Sequence, residues 1–329
     1  MGRMNSVDTV APIRVLAITG PTASGKTALS LSVATALGCE IISLDSMQLY
    51  RGMDIGTAKA TAEERETVPH HMLDILSPME KFSAEDYRTA ALECARDIVS
   101  RGKIPLFVGG TGLYLDTLMR GVSPESPPAD DAVRARLMAE AECEGGAHRL
   151  WLRLAEVDPD SAEKTHENNI RRVVRALEIY ELTGRTKTHF DSLTKEVAKD
   201  ITVGHITLDF HERDNLYARV DTRVDIMMRE GLLGEVRGLY DAGLLLDDTT
   251  AAQAIGYKEI VAYLRGEITE AEAVELIKLS SRRYAKRQLT WFRHNADARR
   301  IYVDGEDGKM KTAAQLTKEA LAVISEFEF

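Results

Sequence analysis

Short apolar runs ending in glycine or polar turns recur along the first third of the chain and again after residue 200. Val15-Leu16-Ala17-Ile18, Glu40-Ile41-Ile42-Ser43-Leu44, Ile104-Pro105-Leu106-Phe107-Val108 and the stretch Val203 to Phe210 are too short and too β-branched for helices. They fit strands covered on both faces, as in a parallel sheet. Pro69 to Ile75 and Arg300 to Asp304 predict two further short strands. Between them the apolar period changes to that of a helix. Ala28 to Leu37 is closed by Gly38, and Ser83-Ala84-Glu85-Asp86 has the capping-box form ahead of Tyr87, Ala91, Cys94 and Ile98. Leu216, Val220, Val224 and Met227 form the apolar side of a long helix, and Ala313 to Phe329 is a terminal one.

The texture changes after Arg120. Gly121 to Asp131 carries Pro124, Pro127 and Pro128, a linker composition, and the segments that follow read only as helices: Ala132–Cys143, Leu150–Val157, Pro159–Thr165 and Ile170–Leu182. A helical block between strand-bearing segments predicts an α/β fold with a discontinuous parallel-sheet core, residues 1–120 and 201–329, and an inserted all-helical subdomain at 121–200.

Composition narrows the class without changing this picture. The chain has 329 residues, 44% hydrophobic and 29% charged, as in a soluble globular protein. No apolar run approaches the ~20 residues of a membrane span. Residues 1–13 lack the apolar core of a secretory signal, and although Met1 to Ser6 formally fits the loose N-myristoylation pattern, a frayed terminus is the plainer reading. Cys39, Cys94 and Cys143 are widely spaced with no C-x-x-C, so neither a disulfide framework nor a zinc site is indicated and a cytoplasmic setting is expected. A net charge of −10 argues weakly against nucleic acid. Yet Lys278 to Arg300 holds eight basic residues against the single acid Asp297, interleaved with Tyr284, Trp291 and Phe292, which suits either a nucleic-acid surface or a solvated helix with core aromatics.

The candidate chemistry begins at the first strand's carboxyl end. Gly20-Pro21-Thr22-Ala23-Ser24-Gly25-Lys26-Thr27 is a G-x-x-x-x-G-K-T loop between a strand and a helix, the context that makes a P-loop credible. Its backbone N–H groups and the helix N-terminus would cradle phosphates, Lys26 would add a point charge, and the Thr27 hydroxyl would ligate Mg²⁺. Asp45 ends the second strand and so lies near that loop. Gly109-Gly110-Thr111-Gly112 is either a second backbone surface toward the ligand or a tight turn into a helix. Arg219 and Arg223, four apart on one helix, could clamp an anion or pair with Asp221, Asp225 or Glu230. Arg171 and Arg175 share a face in the same way, beside Arg172. Neighbouring strand residues point to opposite sides, so His70 and His71 suit structural hydrogen bonds better than one metal.

Taken together, these stretches resemble the tRNA dimethylallyltransferases, also called tRNA isopentenyltransferases. The resemblance runs from about Val15 to Arg293: GPTASGKT at 20–27, DSMQLYRGMDIGTAK at 45–59, PHHMLDI at 69–75, FSAEDY at 82–87, VGGTGLYL at 108–115, NNIRRVVRALEIYELTGR at 168–185, the run ending at Val224, AIGYKE at 254–259 and AKRQLTWFR at 285–293. It implies a nucleotide-kinase-like P-loop core and transfer of a dimethylallyl group from its diphosphate to N6 of the adenine 3′ of the anticodon, in tRNAs reading U-initial codons. By the same resemblance Asp45 is the general base and Arg223 grips the diphosphate with the P-loop and Mg²⁺. The tRNA anticodon stem-loop would meet Asp45, Ser46, Met47, Gln48, Thr111, Arg134, Asn168, Asn169, Ile170, Arg171, Arg172, Gln253, Ala254, Ile255, Gly256, Tyr257 and Lys258. Asn168-Asn169-Ile170 departs from the proline-containing run of many relatives, and no Cys/His finger follows Arg300, which implies the bacterial type. A monomer is expected, with no membrane partner. The rival readings are an adenylate isopentenyltransferase, a P-loop small-molecule kinase and a non-catalytic tRNA- or nucleotide-binding protein. The arginines of the insert and the basic segment favour a polymeric acceptor, and Asp45 beside an intact GKT favours an enzyme.

Overall fold

The computed structural model describes residues 12–120, 127–193, 200–247 and 249–327. Pro124 of the expected linker and the expected frayed terminus at Met1 to Ser6 lie outside the described residues. The chain falls into two compact units, Met1–Thr117 with Asp200–Phe329, and Leu118–Lys199.

The first unit starts with β1 (Ile13–Thr19), α1 (Lys26–Leu37), β2 (Cys39–Leu44), α2 (Ala62–Thr67), β3 (His70–His71), α3 (Ala84–Ser100) and β4 (Ile104–Gly109); α4 (Gly112–Arg120) then leads into the second unit. Among its described residues the regular elements of that unit are all helices: α5 (Asp131–Glu142), α6 (Gly146–Val157), α7 (Pro159–Glu163), α8 (Ile170–Thr183) and α9 (Lys187–Leu193). Its core joins Leu137, Leu150, Leu154, Val173, Val174 and Leu177, the inward faces of α5, α6 and α8. The chain returns through β5 (Ile201–Asp209), α10 (Arg213–Glu230), α11 (Leu232–Asp241), α12 (Tyr257–Leu264), α13 (Glu270–Arg293), β6 (Arg299–Tyr302) and α14 (Ala313–Ser325).

Six parallel strands form one sheet in the order β3-β2-β4-β1-β5-β6. β1 sits centrally, with Leu16 opposite Leu106 and Ile18 opposite Ile206. On one face these residues and Leu208 pack against Leu29 and Val33 of α1, Leu216 and Val220 of α10, Leu289 of α13 and Leu316 of α14. α3 covers β1, β2 and β4. Each such buried aliphatic side chain contributes about 1.5–3 kcal/mol. Because every strand runs the same way, all six carboxyl ends open on one edge, where the phosphate loop, Asp45 and Gly109 sit.

Several helices are absent from the apolar pattern. α2 is a short charged turn capped by Thr61 and Glu64 with no buried residue, so it has no apolar period to read. α11 and α12 are short and separated by a loop, and α9 buries only Phe190. The basic stretch is not one helix: α13 ends at Arg293, and Arg299 and Arg300 belong to β6.

Candidate active site

Gly20, at φ 145°, begins the loop after β1, and a Cβ there would sit 2.9 Å from the Leu208 carbonyl oxygen. Ala23 is held at φ 63°, a left-handed conformation costly for alanine. α1 then starts at Lys26 behind Gly25, with no side chain capping its first N–H groups. Those donors are left for an anion. Lys26 Nζ folds back onto the loop, donating to Gly20 O at 3.0 Å and Pro21 O at 2.6 Å. Burial lowers its pKa to about 7, with the Arg223 charge adding to the fall and Asp45 opposing it.

Asp45 follows β2 and accepts from its own turn, Met47 N–H to Oδ1 at 2.9 Å. The Ser46 N–H donates to Thr111 Oγ1 at 3.1 Å, so the second glycine turn supports the turn that carries Asp45. The glycines there are required by close approach: a Cβ on Gly109 would lie 2.1 Å from Leu44 O and one on Gly110 2.2 Å from Gln288 Nε2. Gln48 is fully engaged, receiving the Ser43 hydroxyl at 2.7 Å and donating both amide hydrogens, to Thr57 O and Ala58 O.

Arg219 and Arg223 leave α10 toward the loop. Two of the acids that could have neutralised them are taken by α13: Asp221 accepts from Arg282 at 2.6 Å and Asp225 pairs with Lys278 at 2.7 Å. Arg219 Nε donates to Ala23 O. Burial lowers the pKa of both arginines, and Asp45 partly offsets this at Arg223. Arg293 is spent on Asp209. Of the basic run, Arg283 and Arg287 remain turned to the cavity, together with Tyr284 and Gln288.

One cavity of about 990 Å³ gathers these groups. Its lining includes Thr22, Ala23, Gly25, Lys26 and Thr27 of the loop, Asp45 to Gln48, Arg219 and Arg223, and all of Gln253 to Lys258. The last segment is anchored by Glu235, whose carboxylate accepts Asp54 N–H at 2.9 Å, Ile55 N–H at 2.7 Å and Gly56 N–H at 3.2 Å, and also the Tyr257 hydroxyl. Lys59, with a buried side chain, ties the same loop by donating to Asp54 and Asp74, both at 2.6 Å.

The remaining residues expected to meet tRNA lie in the Leu118–Lys199 unit, and not all are free. Arg134 donates to the buried Glu178 at 2.9 Å, and Arg175 donates to Pro127 O and Pro128 O. Asn168, Asn169, Arg171 and Arg172 are exposed around the start of α8, with Ile170 half-buried. The paired histidines are each engaged in a hydrogen bond, His71 with Glu40 at 2.8 Å and His70 Nδ1 with Val68 O at 2.7 Å, and His70 also reaches the cavity wall. Sequence patterns do not single out Glu235, and Gln288, although it falls in the AKRQLTWFR stretch of the resemblance, is given no role there. The spacing Ile277, Ser281, Tyr284, Gln288 along α13 is the available signal for Gln288.

Among the described residues no cluster of three or more His, Cys, Asp or Glu could cage a metal. The donor set at the loop, the Thr27 hydroxyl at the cavity wall with Asp45 nearby, fits Mg²⁺ carried mainly by phosphate oxygens and water. No helix among the described residues is long and apolar enough to cross a membrane.

Comparison with known proteins agrees with this geometry. Residues 48–295 match the family model described as IPP transferase. The chain is 45% identical to a tRNA dimethylallyltransferase of Bacillus thuringiensis, over 93% of both chains. It is 47% identical to that of Bacillus subtilis, over 85% of this chain and 88% of the relative. Among solved structures, a tRNA isopentenylpyrophosphate transferase from Bacillus halodurans aligns at TM-score 0.67 and 42% identity, covering 95% of this chain and 97% of that one. A eukaryotic dimethylallyltransferase acting on tRNA aligns at TM-score 0.75 and 30% identity, covering 95% and 79%. A parallel-sheet P-loop core, a family model spanning most of the chain and relatives near 45% identity together establish that this chain belongs to the IPP transferase family, the tRNA dimethylallyltransferases.

Proposed function

We propose that this enzyme transfers a dimethylallyl group from dimethylallyl diphosphate to N6 of the adenine immediately 3′ of the anticodon, in tRNAs reading U-initial codons, and releases diphosphate. The observation that carries the proposal is that Lys26, Asp45 and Arg223 face one cavity. A base stacked in an anticodon loop cannot reach such a cavity, so the adenine enters it flipped out.

The bond broken is the C–O bond between the allylic C1 and the diphosphate, and the bond formed is C1–N6. The allylic cation is delocalised, so the main demand is to stabilise the departing charge. Lys26, Arg223 and the first N–H groups of α1 meet that charge. Mg²⁺ at Thr27 would supply further charge to the diphosphate oxygens when bound. The adenine amine is a weak nucleophile because its lone pair is drawn into the ring. Asp45 accepts the N6 proton as the C–N bond forms. Gln253 to Lys258 and Ser46 to Gln48 line the passage used by the base, while Arg171, Arg172 and their neighbours on the helical unit offer an exposed basic surface to the anticodon stem-loop. A monomer acting on tRNAs in the cytoplasm completes the proposal.

The test is incubation with Mg²⁺, dimethylallyl diphosphate and unmodified tRNA, followed by mass spectrometry of the digested RNA. Prenylated adenosine at the expected position is the predicted product. Turnover on AMP with none on tRNA would move the acceptor to a free nucleotide.

A further inference from the structure

Gln288 lies on α13, remote in sequence from both halves of the chemistry, yet it touches the loops that carry each half. Its Oε1 accepts the Thr22 N–H of the phosphate loop at 2.8 Å. Its Nε2 donates to Gly110 O of the second glycine turn at 2.8 Å. That turn continues directly to Asp45: Thr111 N–H donates to Leu44 O at 3.1 Å, and Thr111 Oγ1 receives Ser46 N–H at 3.1 Å. Leu44 and Ser46 flank Asp45 on both sides. The side chain is only 6% exposed, and the Tyr284 hydroxyl one turn earlier reaches both Thr111 and Gln288.

We propose that Gln288 is a positioning residue that sets the spacing between the diphosphate cradle and the proton-accepting carboxylate, by clipping Thr22 to Gly110. The assignment rests on the reading of Asp45 and the P-loop given above. The chemistry requires a primary amide. One end must accept from an N–H and the other must donate to a carbonyl, and among side chains of this length only glutamine does both without charge. An ionised glutamate would set a second acceptor against Gly110 O, and methionine would satisfy neither partner. Thr22 N–H is consumed by this contact, so the loop gives up one potential phosphate donor to gain a fixed distance to Asp45.

The test uses the full chain with Mg²⁺, dimethylallyl diphosphate and unmodified tRNA. Three variants are compared with the unaltered protein: Q288M, Q288E and Gly110→Ala, whose Cβ would drive the amide aside. Steady-state kcat and KM, the calorimetric Kd of inorganic diphosphate and the melting temperature are measured for each. The expected result is a kcat lowered by about 10²-fold, the scale of a 1 Å misplacement. The diphosphate Kd and the tRNA KM should stay within about threefold, as for a residue that positions rather than binds. A kcat within threefold of the unaltered protein in folded variants overturns the assignment. So does a diphosphate affinity that falls in step with kcat, which would place Gln288 in the cradle itself. Loss of folding in all three would make the clip a stability element, and also overturns it. Failure of the unaltered protein to prenylate tRNA would instead remove the proposed function.

Discussion

Arg219 Nε lies 2.7 Å from the carbonyl oxygen of Ala23, the residue the phosphate loop holds at φ 63°. One guanidinium thus holds a left-handed alanine in place and leaves its remaining N–H groups beside Gly25, where a Cβ would lie 3.6 Å from Arg219 Nη2. Arg219→Ala should raise the KM for dimethylallyl diphosphate about tenfold and lower stability by about 1.5–3 kcal/mol, the range for a hydrogen bond to a charged group. Steady-state kinetics and urea unfolding would read the two effects. An unchanged KM would confine Arg219 to the loop's conformation.

Asp45→Ala should lower kcat by about 10²–10⁴-fold, the usual contribution of a positioned proton acceptor. Binding of tRNA, followed by filter retention or fluorescence, should change little. Turnover preserved in the variant would remove Asp45 as the base.

Lys26 titrates near 7 in the free protein because burial and Arg223 disfavour its charge. A bound diphosphate favours the charged form and raises that pKa. At pH 8 the free protein therefore carries a largely neutral Lys26, and binding takes up a proton; at pH 6 the lysine is already charged and uptake vanishes. Calorimetry in buffers of different ionisation heat, corrected for the ligand's own titration, would measure this. Lys26→Gln should abolish the pH 8 uptake.

His205 is buried in β5 with Nε2 on Thr19 Oγ1 at 2.8 Å, and burial pulls its pKa down to about 4. The unfolded chain binds this proton near 6.5, so the group's contribution is intact above pH 6.5 and is lost as pH falls toward 4. The loss amounts to about 3 kcal/mol. Urea unfolding at pH 7 and pH 4.5 should show it, and His205→Gln should flatten the difference. An equally steep fall in the variant would assign the acid sensitivity to other groups.

Glu235→Ala should be among the most damaging changes outside the cavity wall. It strands three backbone N–H groups and the Tyr257 hydroxyl. Unsatisfied groups cost about 1–3 kcal/mol each where water cannot reach them. A loss of at least about 3 kcal/mol is expected by urea unfolding, with a milder loss for Glu235→Gln. A change under 1 kcal/mol would mean that water replaces the carboxylate.

The α/β class and the P-loop were legible because their signals are local. Strand, loop and helix lie within one short stretch, and the parallel sheet follows from apolar runs separated by helices. The clip residues were not legible for the opposite reason. Glu235 meets Gly56 from 179 positions away, and Gln288 meets Thr22 from 266. A single glutamate or glutamine on an amphipathic helix carries no mark of such partners. The two arginines of α10 show the intermediate case. Their spacing allowed a clamp or surface ion pairs, and two of the three acids in question, Asp221 and Asp225, are occupied by Arg282 and Lys278 of another helix, which no local pattern announces.

The clip from Thr22 to Gln288 also orders the enzyme's birth. At roughly 5–20 residues per second of synthesis, the phosphate loop emerges tens of seconds before the glutamine that aims it. A chain arrested before α13 would own the loop, Asp45 and both α10 arginines, yet lack the amide that sets their spacing. Competence for the transfer to the base thus arrives with the last helix of the cavity wall.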